Sequence, residues 1–226
     1  HEEAHKGMTS RDLTENVEQV QIRRSLDLIL DRVVAALVRL ARLATEYSPV
    51  IIAGRTHNVV AQPTTMGKRF ATAAEELLIA YRRLSDLSAC YPLRGLKGPV
   101  GTQQDQLDLL AGDVEKVQRL EGLFAERLGF RRTLDSVGQI YPRSLDFDVI
   151  SALVQTASGP ANLARTIRLM AGHGLVFEGS APGQIGSSAM PHKVNARTCE
   201  RVNGFVLVLR GYLAMVGGLV GDQWNE

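Results

Sequence analysis

The chain has 226 residues, of which 45% are hydrophobic, 22% are charged and only 5% are aromatic. This length suits one sizeable domain or two small ones, and the shortage of aromatic rings leaves aliphatic side chains to build a core by helix-on-helix packing. The net charge is +2 with acids and bases interspersed, so nothing indicates a nucleic-acid or membrane-surface partner. This charge distribution is compatible with binding of a small anionic ligand by a few Arg and Lys residues.

The first predicted element is a long helix between Gly7 and Pro49, a stretch that contains no Gly or Pro. Thr9 or Ser10 can cap it, and the carboxylate of Asp12 in the first turn suits the helix dipole. Apolar residues at heptad-like spacing form a seam along it: Leu26, Leu30, Val33, Leu37, Leu40 and Ala44. Further apolar residues lie beside or opposite the seam, so we expect burial on several sides, inside a bundle or between subunits.

Breaks and helices then alternate along the chain. Pro49 to Pro63 is a break, and Tyr91 to Thr102 and Phe130 to Pro142 are irregular connections. We predict further helices over about Thr64 to Cys90, Gln103 to Leu110, Val114 to Leu128, Leu145 to Glu178 (kinked at Gly159-Pro160), and from near Asn195 onward. No segment alternates as strands would. The predicted fold class is therefore all-α, an elongated bundle of long helices with residues 1–226 as one domain.

Cysteine usage and hydropathy bear on the compartment. Cys90 and Cys199 lie far apart and form no CxxC or metal-ligand cluster, which favours two reduced thiols in a cytoplasmic protein without a metal. No apolar run reaches the roughly 20 residues that span a bilayer, and no signal peptide is visible. The chain starts without Met and stops without a helix-stop signal, so we expect a piece of a longer protein.

The stretch from Gly179 to Asn195 is the first candidate for chemistry. A loop rich in Gly and Ser between two helices is often a plain surface linker. Here Ser187-Ser188 can present hydroxyls and backbone N–H groups together as an anion or oxyanion site, and Lys193 and Asn195 follow closely. The residues alone leave both readings open, a surface linker or a mobile catalytic loop over about residues 179–194 that can close over a substrate.

Two other clusters could bind polar ligands. His57 lies in Gly54-Arg-Thr-His-Asn58, within a connection, and could act as a general acid or base near neutral pH, although a lone histidine is more often structural. The stretch His5-Lys-Gly-Met-Thr-Ser10 opens the first long helix, whose free N–H groups suit an anion. A simple capping motif explains that second cluster equally well.

Together these motifs carry a resemblance to a known family. Gly186-Ser-Ser-Ala-Met-Pro-His-Lys-Val-Asn195 resembles the signature loop GSSxMPxKxN of the fumarase/aspartase superfamily. Within it, the chain is most similar to the adenylosuccinate lyases, actinobacterial forms in particular. The motifs that carry this closer likeness are His5-x-Gly-x-Thr-Ser-x-Asp12, Gly54-Arg-Thr-His57, Gly98-Pro-Val-Gly-Thr102 and Gly138-Gln-Ile-Tyr-Pro-Arg143.

The resemblance implies an architecture and a reaction. It implies the central helical domain of a homotetramer without its flanking N-terminal and C-terminal domains, with each active site built from three subunits. It implies β-elimination of fumarate from adenylosuccinate to give AMP, and from the succinyl-carboxamide ribotide, in purine biosynthesis. The implied partners are that small-molecule substrate and further copies of the chain, and no cofactor is implied.

The resemblance also assigns roles to residues. Ser187 resembles the catalytic base, His57 the general acid, and Glu200 the acid that pairs with the histidine, since a carboxylate favours imidazolium. Lys193 and Asn195 resemble ligands of the substrate carboxylate. Further residues resemble substrate contacts: His5, Thr9, Ser10, Thr56, Gln139 and Arg201.

Two departures from the family pattern keep alternatives open. Ala196 stands where the family usually has Pro, which would favour a first helical turn. A second active-site histidine, in an Arg-His-Asp segment, and the substrate-phosphate contacts are absent, so the chain alone could fold yet be inactive. The alternatives are another lyase of the superfamily, of the argininosuccinate or cycloisomerase type, and an inactive oligomerisation core.

Overall fold

A computed structural model describes residues 2–179, 187, 189–190 and 192–222. After a short 3-10 helix at Glu2–His5, the elements follow in chain order: α1 Ser10–Glu46, β1 Ile51–Thr56, β2 Val59–Thr65, α2 Met66–Cys90, α3 Gln104–Leu109, α4 Val114–Arg127, α5 Ser144–Gly172 and α6 Arg197–Gly217. The all-α fold class is confirmed, since helices dominate the described residues.

The expectation that no segment forms strands is wrong at one place. Strands β1 and β2 pair antiparallel as a hairpin, with Ile51 opposite Thr65 and Thr56 opposite Val59, and the register shifts near Gly54. His57 and Asn58 make the two-residue turn with φ of 53° and 64°. Two central residues with positive φ are what a type I′ hairpin turn requires, and its twist matches that of the flanking strands.

The helix predicted to run to Glu178 ends six residues earlier, at Gly172. Gly174 adopts φ of 67°, its N–H donates to the Ala171 carbonyl at 3.0 Å, and the Leu175 N–H donates to the Met170 carbonyl at 2.9 Å. These paired bonds form a Schellman motif, in which a left-handed glycine terminates a helix. Glu178 is thereby released from the helix and lies in the connection to α6.

The chain divides into two compact units. Unit 1 comprises His1–Asp31, Leu84–Val149 and Met215–Glu226. Its apolar core includes Leu26, Leu84, Leu93 and Tyr141, each at most 2% exposed. Residues 91–98 are all buried although they form neither helix nor strand, so their backbone polar groups need partners from elsewhere in the unit.

Unit 2 comprises Arg32–Arg83 and Ile150–Ala214. Within it, α2 begins against the end of α1, and a Cβ at Gly67 would lie 2.3 Å from the Ala44 carbonyl oxygen, so only glycine fits that approach. Helices α2 and α5 are joined by the Arg83 guanidinium, which donates to Ser151 Oγ at 2.6 Å and Gln155 Oε1 at 3.0 Å. Pro160 lies inside α5.

Candidate functional site

The predicted site residues fall into two groups, one in each unit. Unit 1 holds His5, Thr9, Ser10 and Gln139, whereas unit 2 holds Thr56, His57, Ser187, Lys193, Asn195, Glu200 and Arg201.

The start of α1 is closed by a reciprocal cap. The Thr9 N–H donates to Asp12 Oδ2 at 2.8 Å, and the Asp12 N–H donates to the Thr9 carbonyl at 3.0 Å. A carboxylate at the third helical position that reaches back to the N-cap residue satisfies a donor the helix leaves free. Ser10 and His5 are exposed, and Thr9 is half-buried.

Asp12 also joins α1 to the buried connection after α2. Its Oδ1 accepts from Arg94 Nη1 at 2.5 Å, from the Lys97 N–H at 2.9 Å and from the Gly98 N–H at 3.2 Å. Arg94 Nη2 in turn donates to the carbonyls of Gly98 at 3.0 Å and Gly138 at 3.1 Å. The carbonyl of Gly138 precedes Gln139, so one guanidinium links three of the motifs that carry the family resemblance.

The same face of α1 supplies the other partners of the buried connection. Asn16 exchanges two hydrogen bonds of 2.9 Å with the backbone of Gly95. Gln19 Oε1 accepts from the Arg94 N–H at 2.6 Å, and its Nε2 donates to the Pro92 carbonyl at 3.2 Å. These amide side chains bond to backbone N–H and carbonyl groups of residues 91–98, as a neighbouring strand would in a sheet.

A second buried carboxylate holds the segment beyond Gln139. Glu15 Oε2 accepts from the Tyr141 N–H at 3.2 Å, and Arg143 Nη2 lies 3.4 Å from Glu15 Oε1. The Tyr141 hydroxyl donates to Asp146 Oδ1 at 2.9 Å. Burial, and then the nearby Asp146 carboxylate, raise the pKa of Tyr141 far above its ordinary value, so this phenol stays protonated.

In unit 2, the hairpin places Thr56 and His57 at its tip. Both residues are exposed, and Arg55 Nη1 donates to the Asn58 carbonyl across the turn at 2.9 Å. The positive φ of His57 is uncommon for a residue with a Cβ, although His, Asn and Asp are enriched there. The turn thus presents the imidazole at an exposed point of this unit.

The predicted mobile loop lies largely outside the described residues, which include neither 180–186, nor Ser188, nor Pro191. At its described positions, Ser187 Oγ accepts a hydrogen bond from the Met190 N–H at 3.1 Å. The Lys193 N–H donates to the Met190 carbonyl at 2.9 Å, and the Lys193 side chain is exposed. Asn195 is half-buried just before α6.

Glu200 lies in the first turn of α6 and Arg201 follows it, and both residues are exposed. Glu200 Oε1 lies 3.9 Å from Arg168 Nη2 on α5, and Arg168 Nη1 donates to Asn203 Oδ1 at 3.2 Å. Within the part of the chain that is described, no hydrogen bond or ion pair joins Glu200 to His57. The predicted pairing of these two residues therefore stays a prediction.

The structure adds residues that the sequence did not single out: Glu15, Asn16, Gln19, Arg94 and Glu178. Over residues 2–179, 187, 189–190 and 192–222, no group of three or more His, Cys, Asp or Glu is placed to hold a metal ion. None of the helices in those ranges is both long enough and apolar enough to cross a membrane.

Comparison with known proteins gives a consistent result. A family model described as "Lyase" matches residues 1–211. An adenylosuccinate lyase of Saccharomyces cerevisiae is 39% identical over 222 residues, which are 98% of this chain and 46% of that protein. An adenylosuccinate lyase of Schistosoma mansoni is 34% identical with the same coverage, and one of Archaeoglobus fulgidus is 34% identical over 92% of the chain and 46% of its own length. The chain thus spans about half the length of the curated relatives it matches.

Proposed function

The chain belongs to the lyase family that matches it over residues 1–211, and we propose that the full-length protein releases fumarate from adenylosuccinate, leaving AMP. The relatives that cover nearly the whole chain are named adenylosuccinate lyase, which supports this substrate. The same elimination on the succinyl-carboxamide ribotide is part of the proposal. The cytoplasm is the proposed compartment, in keeping with two free cysteine thiols.

The proposed reaction is a β-elimination that Ser187 and His57 carry out together. Ser187 Oγ takes a proton from the succinyl carbon beta to the nitrogen, and the carbanion is held as an aci-carboxylate. Its electron pair forms the new double bond of fumarate as the C–N bond breaks. The departing nitrogen takes its proton from the His57 imidazolium.

The observation that carries this proposal is the hydrogen bond from the Met190 N–H to Ser187 Oγ at 3.1 Å. Serine is a poor base at its ordinary pKa, so its alkoxide needs stabilisation. An amide N–H that points at the oxygen favours the negatively charged form. The exposed ammonium of Lys193, a few residues on, adds favourable charge and, with Asn195, is proposed to bind the substrate carboxylate.

The remaining predicted contacts complete the proposed site. In unit 1, Thr9 is bonded to Asp12, Ser10 follows Thr9 in the chain, and Gln139 follows the Gly138 carbonyl that Arg94 binds. In unit 2, Thr56 adjoins His57 at the hairpin tip. His5 and Arg201 are exposed and available to an anionic substrate. We propose that these groups meet in an active site shared between copies of the chain, with Glu200 of one copy facing His57 of another.

A homotetramer is the proposed assembly, and the surface of α6 supports self-association. Phe205, Val208, Tyr212 and Met215 recur at spacings of 3, 4 and 3, and all are at least 51% exposed. Such a seam on a long helix suits knobs-into-holes packing against another helix. The same exposed seam also favours a second candidate function for the chain taken alone, an inactive oligomerisation core.

Turnover by the full-length protein tests the proposal. Ser187→Ala should lower kcat by at least about a hundredfold, as loss of general base catalysis does. For the proposed general acid, His57→Asn is a more specific test than His57→Ala, because Asn tolerates the positive φ of the turn and the hairpin should keep its backbone conformation. Matched controls are Ser25→Ala and His173→Asn, both at exposed positions, which should stay within twofold of the parent.

The assay follows fumarate release by absorbance on adenylosuccinate, on the succinyl-carboxamide ribotide and on argininosuccinate. Near-normal turnover by Ser187→Ala or His57→Asn would refute the assigned roles. A preference for argininosuccinate would favour another lyase of the superfamily. A tetrameric full-length protein without turnover on any of these substrates would favour the oligomerisation core.

A further inference from the structure

The N-cap residue of helix α6 has no side chain that could cap the helix. The Glu200 N–H donates to the Ala196 carbonyl at 3.0 Å, which makes Ala196 the N-cap residue. Alanine has no side-chain acceptor, so the N–H groups of the first turn lack the partner that Ser, Thr, Asp or Asn would supply. Ala196 itself is only 9% exposed.

Glu178 supplies the missing cap from 20 residues upstream. Its Oε1 accepts from the Thr198 N–H at 2.9 Å and its Oε2 from the Cys199 N–H at 3.3 Å. One carboxylate therefore covers two free donors at the positive end of the helix dipole. These bonds join the two ends of the stretch that contains the signature loop.

The capped turn is also anchored on α5. Ala196 and Cys199 are buried with Ala164, and Asn203 Nδ2 donates to the Ala161 carbonyl at 2.9 Å. The turn therefore has a fixed place within unit 2. Asn195 lies immediately before this turn and Glu200 lies within it.

From this geometry we propose that Glu178 is a positioning residue for the lyase reaction, holding Asn195 and Glu200 in place through the first turn of α6. The inference rests on the proposed function of the loop. A displacement of about 1 Å at a reacting group costs up to about a hundredfold in rate, so a cap that fixes the turn acts on turnover without touching substrate.

The charge state of Glu178 agrees with this role. Partial burial acts to raise the pKa of its carboxyl, but the bonds from Thr198 and Cys199 outweigh that effect, and the net shift is downward from the ordinary value. The carboxylate form that the cap needs is therefore stabilised in the folded protein.

The test compares Glu178→Ala, Glu178→Gln and the double variant Glu178→Ala with Ala196→Ser in the full-length protein. Glu178→Ala should lower kcat for fumarate release by about tenfold to a hundredfold. Glu178→Gln keeps one carbonyl acceptor and should lose less. A serine at position 196 brings its own N-cap hydroxyl and should restore most of the lost kcat. Glu46→Gln, which removes an exposed surface carboxylate, should stay within twofold.

Hydrogen exchange of the Thr198 and Cys199 amides is measured on the same proteins. Exchange should quicken in Glu178→Ala and slow again in the double variant. Unchanged kcat or unchanged exchange in Glu178→Ala, with an active parent, overturns the positioning role. An inactive parent instead refutes the proposed function, and the exchange data still decide whether Glu178 caps the helix. If Glu178→Ala fails to fold, Glu178→Gln carries both measurements.

Discussion

The carboxylate of Asp12 meets the guanidinium of Arg94 at 2.5 Å, and both side chains are fully buried. The pair is surrounded by backbone groups, because Asp12 also accepts from the N–H groups of Lys97 and Gly98 while Arg94 donates to the carbonyls of Gly98 and Gly138. A buried ion pair is tolerated when such bonds satisfy most of its remaining donors and acceptors, and here Arg94 Nε alone of the guanidinium nitrogens has no partner among the described residues. Here those bonds hold the backbone beside Thr9 and Gln139.

Replacing Arg94 should destabilise the protein strongly. Arg94→Met leaves the Asp12 carboxylate buried and unpaired, so the free energy of unfolding should fall by about 3–5 kcal/mol. Adding Asp12→Asn should recover part of the loss, because the uncompensated charge is then removed. Urea denaturation of the full-length protein at fixed concentration measures both variants.

The control for Arg94 is another arginine that pairs with a carboxylate. Arg42 lies 4.0 Å from Glu46 on the surface of α1, with its side chain 67% exposed. Arg42→Met should change the free energy of unfolding by less than about 1 kcal/mol. An Arg94→Met variant no more destabilised than Arg42→Met would show that the buried pair does not hold the junction together.

The sequence predicted the helices well where local signals and burial agree. Thr9 and Ser10 mark the start of α1, and its buried seam residues Leu26, Val33 and Leu40 follow the predicted spacing. Elsewhere tertiary partners decide the environment of a side chain. Asp12, Glu15, Asn16 and Gln19 have the spacing of one helix face and resemble a solvated stripe, yet each is at most 2% exposed because a buried, irregular segment needs their polar atoms.

The remaining differences have local causes. The hairpin was missed because residues 51–65 lack clean alternation, and its turn uses His57-Asn58 rather than the common Asn-Gly. Gly174 was a usable signal for the end of α5, since glycine favours the left-handed position after a helix. The cap from Glu178 could not be predicted, because it depends on where the chain returns after a long connection.

Gln106 offers a stabilising substitution. Its side chain is 4% exposed, and neither its Oε1 nor its Nε2 has a hydrogen-bond partner among the residues the structure describes. A buried amide without partners loses its hydration without compensation. Gln106→Leu should therefore raise the free energy of unfolding by about 1 kcal/mol, measured by urea denaturation.

Gln19 is the matched control for Gln106. It is also fully buried, but both ends of its amide are bonded, to the Arg94 N–H and the Pro92 carbonyl. Gln19→Leu should lower the free energy of unfolding by about 1–3 kcal/mol, because it strands two buried backbone groups. Equal effects of the two leucine changes would contradict the difference in pairing.

Cys199 should be an unreactive thiol at neutral pH. Burial, and then the neighbouring Glu178 carboxylate, raise its pKa from 9.0 to about 11. Only the thiolate attacks disulfide reagents, so below pH 9 its labelling should be about a hundredfold slower than for an unshifted thiol. Followed by mass spectrometry on the peptide that contains Cys199, the profile of labelling rate against pH should rise towards pH 11. Adding Glu178→Gln should move that profile to lower pH, and an unmoved profile would contradict the contact between the two side chains.

The exposed seam of α6 predicts the effect of a charge on assembly. Phe205 is 66% exposed and lies in line with Val208 and Tyr212. If another copy of the chain covers this seam, Phe205→Glu buries an unpaired carboxylate at the interface, and sedimentation velocity should show smaller species than for the parent. Val114→Glu is the control, since Val114 is 55% exposed at the start of α4, where an acidic residue suits the helix dipole. That variant should sediment like the parent.

A Phe205→Glu protein that keeps the parent's sedimentation would place the subunit interface on another surface. The exposed seam of α6 would then no longer support an active site shared between copies of the chain.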